Sequence, residues 1–157
     1  MMADKNQFNQ SELITLCSYN VKHYDSVKYD AVKSLFERCT FLLLQETWLA
    51  EEEFIRKFKN DFPNSECISS NKMDLKGIGP GRRYGGVSIC HHTNVDCNIE
   101  TLMTNSKSIC AQIITISSIS FLLINDYMPS SDNRDKLQEY SDILEEISIL
   151  CLSSISY

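Results

Sequence analysis

Apolar residues in this chain fall either into short continuous runs or into spaced sets, and the two patterns predict different elements. Leu13-Ile14-Thr15-Leu16-Cys17-Ser18-Tyr19-Asn20 is a short, mainly apolar run ending on a polar residue, as a strand buried on at least one face does. Val27, Ala31, Val32, Leu35 and Phe36 then recur at helical spacing, with Asp25 and Ser26 as candidate caps ahead of them. Phe41-Leu42-Leu43-Leu44 is an apolar run of strand length, followed at once by Gln45-Glu46-Thr47-Trp48. Glu51 to Phe58 reads as a second helix. Acids stand at its start and Arg56, Lys57 and Lys59 near its end, the polarity that suits the helix dipole.

Pro63 interrupts this pattern, and Cys67 to Ser70 reads as a short strand. A loop with Gly77, Gly79, Pro80 and Gly81 leads into Arg82-Arg83-Tyr84-Gly85-Gly86, after which Val87-Ser88-Ile89-Cys90 alternates as a strand does. Ile109 to Ile116 and Ile119 to Asn125 predict a hairpin through Ser117-Ser118. Asp132 is a good cap for a last helix, in which Leu137, Tyr140, Ile143, Leu144, Ile147 and Leu150 form one apolar face. Strand, helix, strand, helix, several strands, helix is a mixed α/β or α+β order. It is not the strict alternation of a doubly wound sheet.

Composition narrows this picture without changing it. A chain of 157 residues, 43% hydrophobic and 23% charged, fits one folded domain. We expect a polar tail over residues 1–12 and the domain over 13–157. No apolar run approaches the roughly 20 residues of a membrane helix, and the polar start carries no signal-like stretch, so an intracellular protein is expected. The seven cysteines are odd in number and scattered, which argues against a disulfide framework. Cys17, Cys90 and Cys110 lie inside apolar runs and read as small buried residues. A net charge of −6 counts against a nucleic-acid binder held by basic surface. A metal-dependent nuclease remains compatible with it, because there the cation meets the phosphate.

Two polar residues stand where apolar strands end, Asn20 and Glu46. A carboxylate at the tip of a rigid strand is pre-positioned and partly desolvated, which suits a hard cation, although strands commonly end in polar residues with no such role. Arg82 and Arg83 are candidate contacts to a nucleic-acid backbone, or simply loop residues in water. Trp48 offers a ring to stack on a base or to pack beside the strand end. Cys90-His91-His92 with Cys97 matches no common zinc spacing. Gly77 to Gly86 lacks the Lys-Ser/Thr pair and the helix of a phosphate loop.

Four blocks carry a further signal: Cys17-Ser18-Tyr19-Asn20-Val21, Leu43-Leu44-Gln45-Glu46-Thr47-Trp48-Leu49, Gly85-Gly86-Val87-Ser88-Ile89 and Asn125-Asp126-Tyr127-Met128-Pro129. In order and spacing they resemble the endonuclease/exonuclease/phosphatase superfamily. That superfamily includes apurinic/apyrimidinic endonucleases and the nuclease domains of non-LTR retrotransposons. L-Q-E-T-W-L with G-R-x-Y-G-G-V and N-x-Y-M-P is most similar to the retrotransposon branch. The resemblance implies the N-terminal part of a four-layer α/β/β/α sandwich with mixed sheets. It implies that Glu46 binds the catalytic Mg²⁺, that Asn20 helps to hold the metal shell and the scissile phosphate, and that Tyr127 hydrogen-bonds the phosphate. DNA would be the substrate.

The chain also departs from the family. Lys22-His23 stands where a glycine often follows, and Thr40 where an acid is common. The G-D-F-N-like segment whose Asp activates water, and the later S-D-H segment, are not found after Tyr127. Asp132-Asn133 opens a helix instead, and His23, His91 and His92 lie in other blocks. An incomplete domain with little activity alone is therefore expected. The alternatives are a non-catalytic module that binds a protein or nucleic acid, and a phosphatase-type member acting on small phosphate esters. Oligomeric state is open; unpaired sheet edges would favour association.

Overall fold

The computed structural model describes residues 13–73, 85–128 and 134–154. The tail over residues 1–12, the loop with Arg82 and Arg83, and the cap at Asp132 lie outside the described residues. The described chain runs β1 (Leu16–Asn20), α1 (Tyr29–Phe36), β2 (Phe41–Gln45), α2 (Glu51–Asp61), β3 (Ser65–Ser70), β4 (Val87–His92), β5 (Asn98–Leu102), β6 (Ile109–Ile116), β7 (Ile119–Asp126) and α3 (Arg134–Ser154).

The strands form two sheets. One has the order β1-β2-β4-β3 and is mixed, with β1 parallel to β2 and the other pairs antiparallel. The second, β5-β6-β7, is antiparallel throughout, so only one of the two described sheets is mixed. The period of two along each strand explains the layering. Leu42, Leu44 and Cys90 face α1 and α2, where they join Val32, Phe36, Phe54 and Phe58. Phe41, Leu43, Val87 and Ile89 face the other way and meet Cys110, Ile114 and Leu123 of the second sheet. Ile109 and Ala111, on the far side of β6, pack on Ile143 and Leu150 of α3. The result is helices, sheet, sheet, helix: the predicted four-layer α/β/β/α sandwich. Phe36, Phe54 and Phe58 are fully buried, and truncating any one of them to alanine would cost about 3–5 kcal/mol.

Three elements differ from the sequence expectation. Asp25 Oδ1 accepts the N–H groups of Val27 at 3.0 Å and Lys28 at 3.1 Å. This closes a turn before the helix, so α1 starts at Tyr29 and Val27 is left 81% exposed. β5 escapes the pattern because an edge strand with only Ile99 and Leu102 as apolar residues carries little periodic signal. On α3 the buried stripe is narrower than predicted. Ile143 and Leu150 are buried with Ile147 beside them, whereas Leu137, Tyr140 and Leu144 are exposed, because a three-stranded sheet covers only one stripe of the helix. Among the described residues, no helix is long and apolar enough to cross a membrane.

Candidate functional site

β1 and β2 run parallel with Asn20 beside Gln45, so both release the chain at the same end of the sheet. The two exits then zip together. The N–H groups of Val21, His23 and Tyr24 donate to the carbonyls of Gln45, Glu46 and Thr47 at 2.9, 2.8 and 3.0 Å. On the other flank, the N–H groups of Thr47 and Trp48 donate to the carbonyls of Gly86 and Gly85 at 3.3 and 3.0 Å. This close fit forces unusual backbone. Lys22, His23, Glu46 and Trp48 all have positive φ, at 46°, 86°, 54° and 56°. The left-handed region costs a non-glycine residue about 1–2 kcal/mol, and such strain gathers at functional sites. Gly86 is required for another reason: a Cβ there would lie 2.2 Å from Thr47 Oγ1 and 2.8 Å from Asn71 Nδ2.

Three predicted residues meet at this end. Asn20 Nδ2 donates to Glu46 Oε1 at 2.8 Å, and Asn20 Oδ1 accepts the Lys22 N–H at 3.2 Å. The Tyr127 hydroxyl, just past the end of β7, lies close enough to Glu46 to feel its charge. Burial raises the Tyr127 phenol above its ordinary pKa, and the charge of Glu46 adds to the effect. The Tyr127 N–H donates to the Ser108 carbonyl at 3.0 Å, which fixes the residue against the start of β6. Both sheets thus contribute to one partly exposed carboxylate.

Asn125 holds the sheets in register beneath it. Its Nδ2 donates to the carbonyls of Leu44 and Ser88 at 2.9 and 2.8 Å, and its Oδ1 accepts Gln45 Nε2 at 2.6 Å. Gln45 Nε2 also reaches Ser18 Oγ at 3.1 Å. Sequence reasoning quoted the N-x-Y block but gave Asn125 no role. The available signal was an amide on an otherwise apolar strand face, which needs a buried partner. Asp126 beside it has its carboxyl pKa raised, chiefly by burial.

The remaining candidates are placed as follows. Trp48 stacks on His23, with ring centroids 5.9 Å apart and planes 17° from parallel, and His23 Nδ1 lies 3.5 Å from Asp25 Oδ2. Arg82 and Arg83 are outside the described residues. His92 stacks on Phe36 and its Nε2 meets the Phe36 carbonyl at 3.0 Å, while Cys90 is buried under the helices. Among the described residues, no three His, Cys, Asp or Glu side chains gather as a metal cluster. Mg²⁺ needs less: one or two carboxylates, with water and phosphate oxygens completing its shell. The Glu46 carboxylate fits that need. Asn20 turns its nitrogen towards Glu46, so in this arrangement it holds the carboxylate and does not offer its own oxygen.

No protein-family model matches the chain, and no curated protein matches it. Solved structures do. The 3′ phosphatase NExo from Neisseria, bound to a product DNA hairpin, matches 92% of this chain at 16% identity with a TM-score of 0.62. The endonuclease domain of TRAS1, a telomere-specific non-LTR retrotransposon, matches 83% at 11% identity with a TM-score of 0.54. The AP endonuclease LMAP from Leishmania major matches 81% at 13% identity with a TM-score of 0.58. The chain spans about half the length of each: 53%, 53% and 44%. The fold is that of the endonuclease/exonuclease/phosphatase superfamily, a nuclease-like fold.

Proposed function

We propose that this chain carries the N-terminal share of a Mg²⁺-dependent phosphodiesterase site of the retrotransposon-endonuclease type, with DNA as its substrate. One observation carries the reading. Asn20, Glu46 and Tyr127 come from the ends of three strands in two sheets; Asn20 hydrogen-bonds the Glu46 carboxylate, and its charge reaches Tyr127. Glu46 would hold the metal, which when bound neutralises charge developing on a phosphoryl group. Asn20 orients that carboxylate and has an amide able to donate to a phosphate oxygen without adding charge. Tyr127 is a stiff donor, kept protonated by its surroundings, and would hydrogen-bond the phosphate. The solved structures it matches include a retrotransposon endonuclease domain and a DNA-bound phosphatase, which supports DNA over a small phosphate ester.

In this reading the chain alone binds DNA weakly and does not nick it, because these three residues hold a metal and a phosphate but none of them activates water. Purified chain with a fluorescent duplex should show Mg²⁺-dependent binding that is lost in Glu46→Ala. Supercoiled plasmid with Mg²⁺ should stay closed. Duplex binding equal with and without Mg²⁺ and unchanged in Glu46→Ala would overturn the site. Nicking by the wild type that disappears in Glu46→Ala would overturn the inactivity.

A further inference from the structure

Cys67 and Cys90 stand directly opposite each other on the antiparallel pair β3 and β4. The ladder fixes which kind of pair they make. The Thr93 N–H donates to the Asn64 carbonyl at 3.0 Å, so that pair, one step beyond the strands, is hydrogen-bonded. Hydrogen-bonded and non-hydrogen-bonded pairs alternate along an antiparallel ladder. Counting inwards from Asn64 and Thr93, three steps lead to Cys67 and Cys90, a non-hydrogen-bonded pair. Such pairs have Cα atoms about 4.5 Å apart, inside the range of about 4.4–6.8 Å that a disulfide spans. Two pairs further in, at the next non-hydrogen-bonded pair, Ser88 Oγ donates to Ser69 Oγ at 3.0 Å.

Both thiols lie on the helix-facing side of the sheet, packed in the same apolar cluster. Both are free thiols. They differ in access: Cys90 is fully buried, whereas Cys67 is partly exposed. The neighbouring Cys90 thiol and the nearby Lys59 ammonium also hold the Cys67 thiol below its ordinary pKa against the opposing effect of burial. An accessible thiol with a resolving thiol beside it is the arrangement that oxidation to a disulfide requires.

We propose that Cys67 and Cys90 are an oxidation site at which hydrogen peroxide closes a reversible cross-strand disulfide. The Cys67 thiolate attacks one peroxide oxygen, the O–O bond breaks, and Cys67 becomes a sulfenic acid as the first water leaves. The Cys90 sulfur then attacks the Cys67 sulfur; the S–S bond forms, the S–O bond breaks, and a second water leaves with the Cys90 proton. Two thiols are oxidised and one peroxide is reduced to two waters. The bond lies three pairs in from Ser70 and Val87, between which the segment joining β3 and β4 runs. That segment includes Asn71, whose Nδ2 donates to the Leu49 carbonyl at 2.7 Å, and Gly85 and Gly86, which hold the Glu46 turn.

The test uses the full chain with Cys151, exposed on α3, replaced by serine so that linkage between molecules does not intrude. The protein is treated with one equivalent of hydrogen peroxide, remaining thiols are alkylated, and peptides are mapped without reduction. The expected result is one linked pair of peptides carrying Cys67 and Cys90, reversed by dithiothreitol, with a Tm about 5–10 °C higher in the oxidised form. Cys67→Ser should abolish both the linkage and the Tm rise. Should Cys67→Ser not fold, the map and melt of the chain retaining both thiols decide alone. A link between any other two cysteines with Cys67 still alkylated, oxidation of Cys67 to the sulfinic acid, or no reaction would each overturn the proposal.

Discussion

Asn125→Ala removes the side chain that ties the two sheets together beneath the Glu46 carboxylate. The wild-type amide makes three hydrogen bonds, two donated to the carbonyls of Leu44 and Ser88 and one accepted from Gln45 Nε2. Asn125 is only 3% exposed, so water does not easily replace it. A neutral hydrogen bond contributes about 1 kcal/mol net, and an orphaned buried group costs more. The expected loss is about 2–4 kcal/mol. Urea denaturation followed by Trp48 fluorescence reads this directly, and with an m-value of about 2 kcal/mol/M the midpoint should fall by about 1–2 M. Asn125→Asp sharpens the test at neutral pH, where a carboxylate cannot donate to either carbonyl and should be at least as damaging as alanine. A loss below about 0.5 kcal/mol for Asn125→Ala, the size of an ordinary surface change, would refute the tie. The apolar layer of Phe41, Ile89 and Ile114 would then suffice to hold the sheets.

Further outcomes follow from the same geometry. Gly86→Ala should destabilise by about 2–5 kcal/mol in the same urea experiment, combining left-handed strain with overpacking against Thr47 Oγ1 and Asn71 Nδ2. The half-buried Asp126 carboxyl has a raised pKa in the fold, so its contribution to stability is full below the unfolded value and is lost as pH rises through the folded value. Asp126→Asn should therefore raise Tm at pH 7 and leave it unchanged near pH 3. The Tyr127 phenol is also raised, so the stability it contributes persists below the ordinary value near 10 and is lost above it. An ultraviolet titration of Tyr127→Phe should lack one late-ionising phenol present in the wild type.

Much of the layering was legible in the sequence because the apolar code there is dense. Phe41-Leu42-Leu43-Leu44 read as a strand from its length and apolar run, and the structure covers it on both faces. Gln45-Glu46 after that run, and Asn20 after Leu16-Cys17-Ser18-Tyr19, marked the end of the sheet where the candidate site lies. What stayed hidden depends on partners distant in sequence. Asn125 binds carbonyls 81 and 37 residues away, and no local pattern predicts that. The backbone strain at Glu46 and Trp48 arises from zipping two strand exits together, which is likewise a property of the assembled sheet. β5 was missed because its pairing with β6, not its own composition, makes it a strand.

The central proposal is that Glu46, oriented by Asn20 and flanked by Tyr127, holds a divalent cation. Paramagnetic broadening of the ¹⁵N-labelled chain by Mn²⁺ tests it most directly. The account predicts that amide signals broaden first around Glu46 and then at Asn20, Lys22 and Tyr127, that Mg²⁺ restores them in competition, and that Glu46→Gln abolishes the effect. Broadening centred instead on the acidic residues of α3, or equally strong in Glu46→Gln, would contradict it.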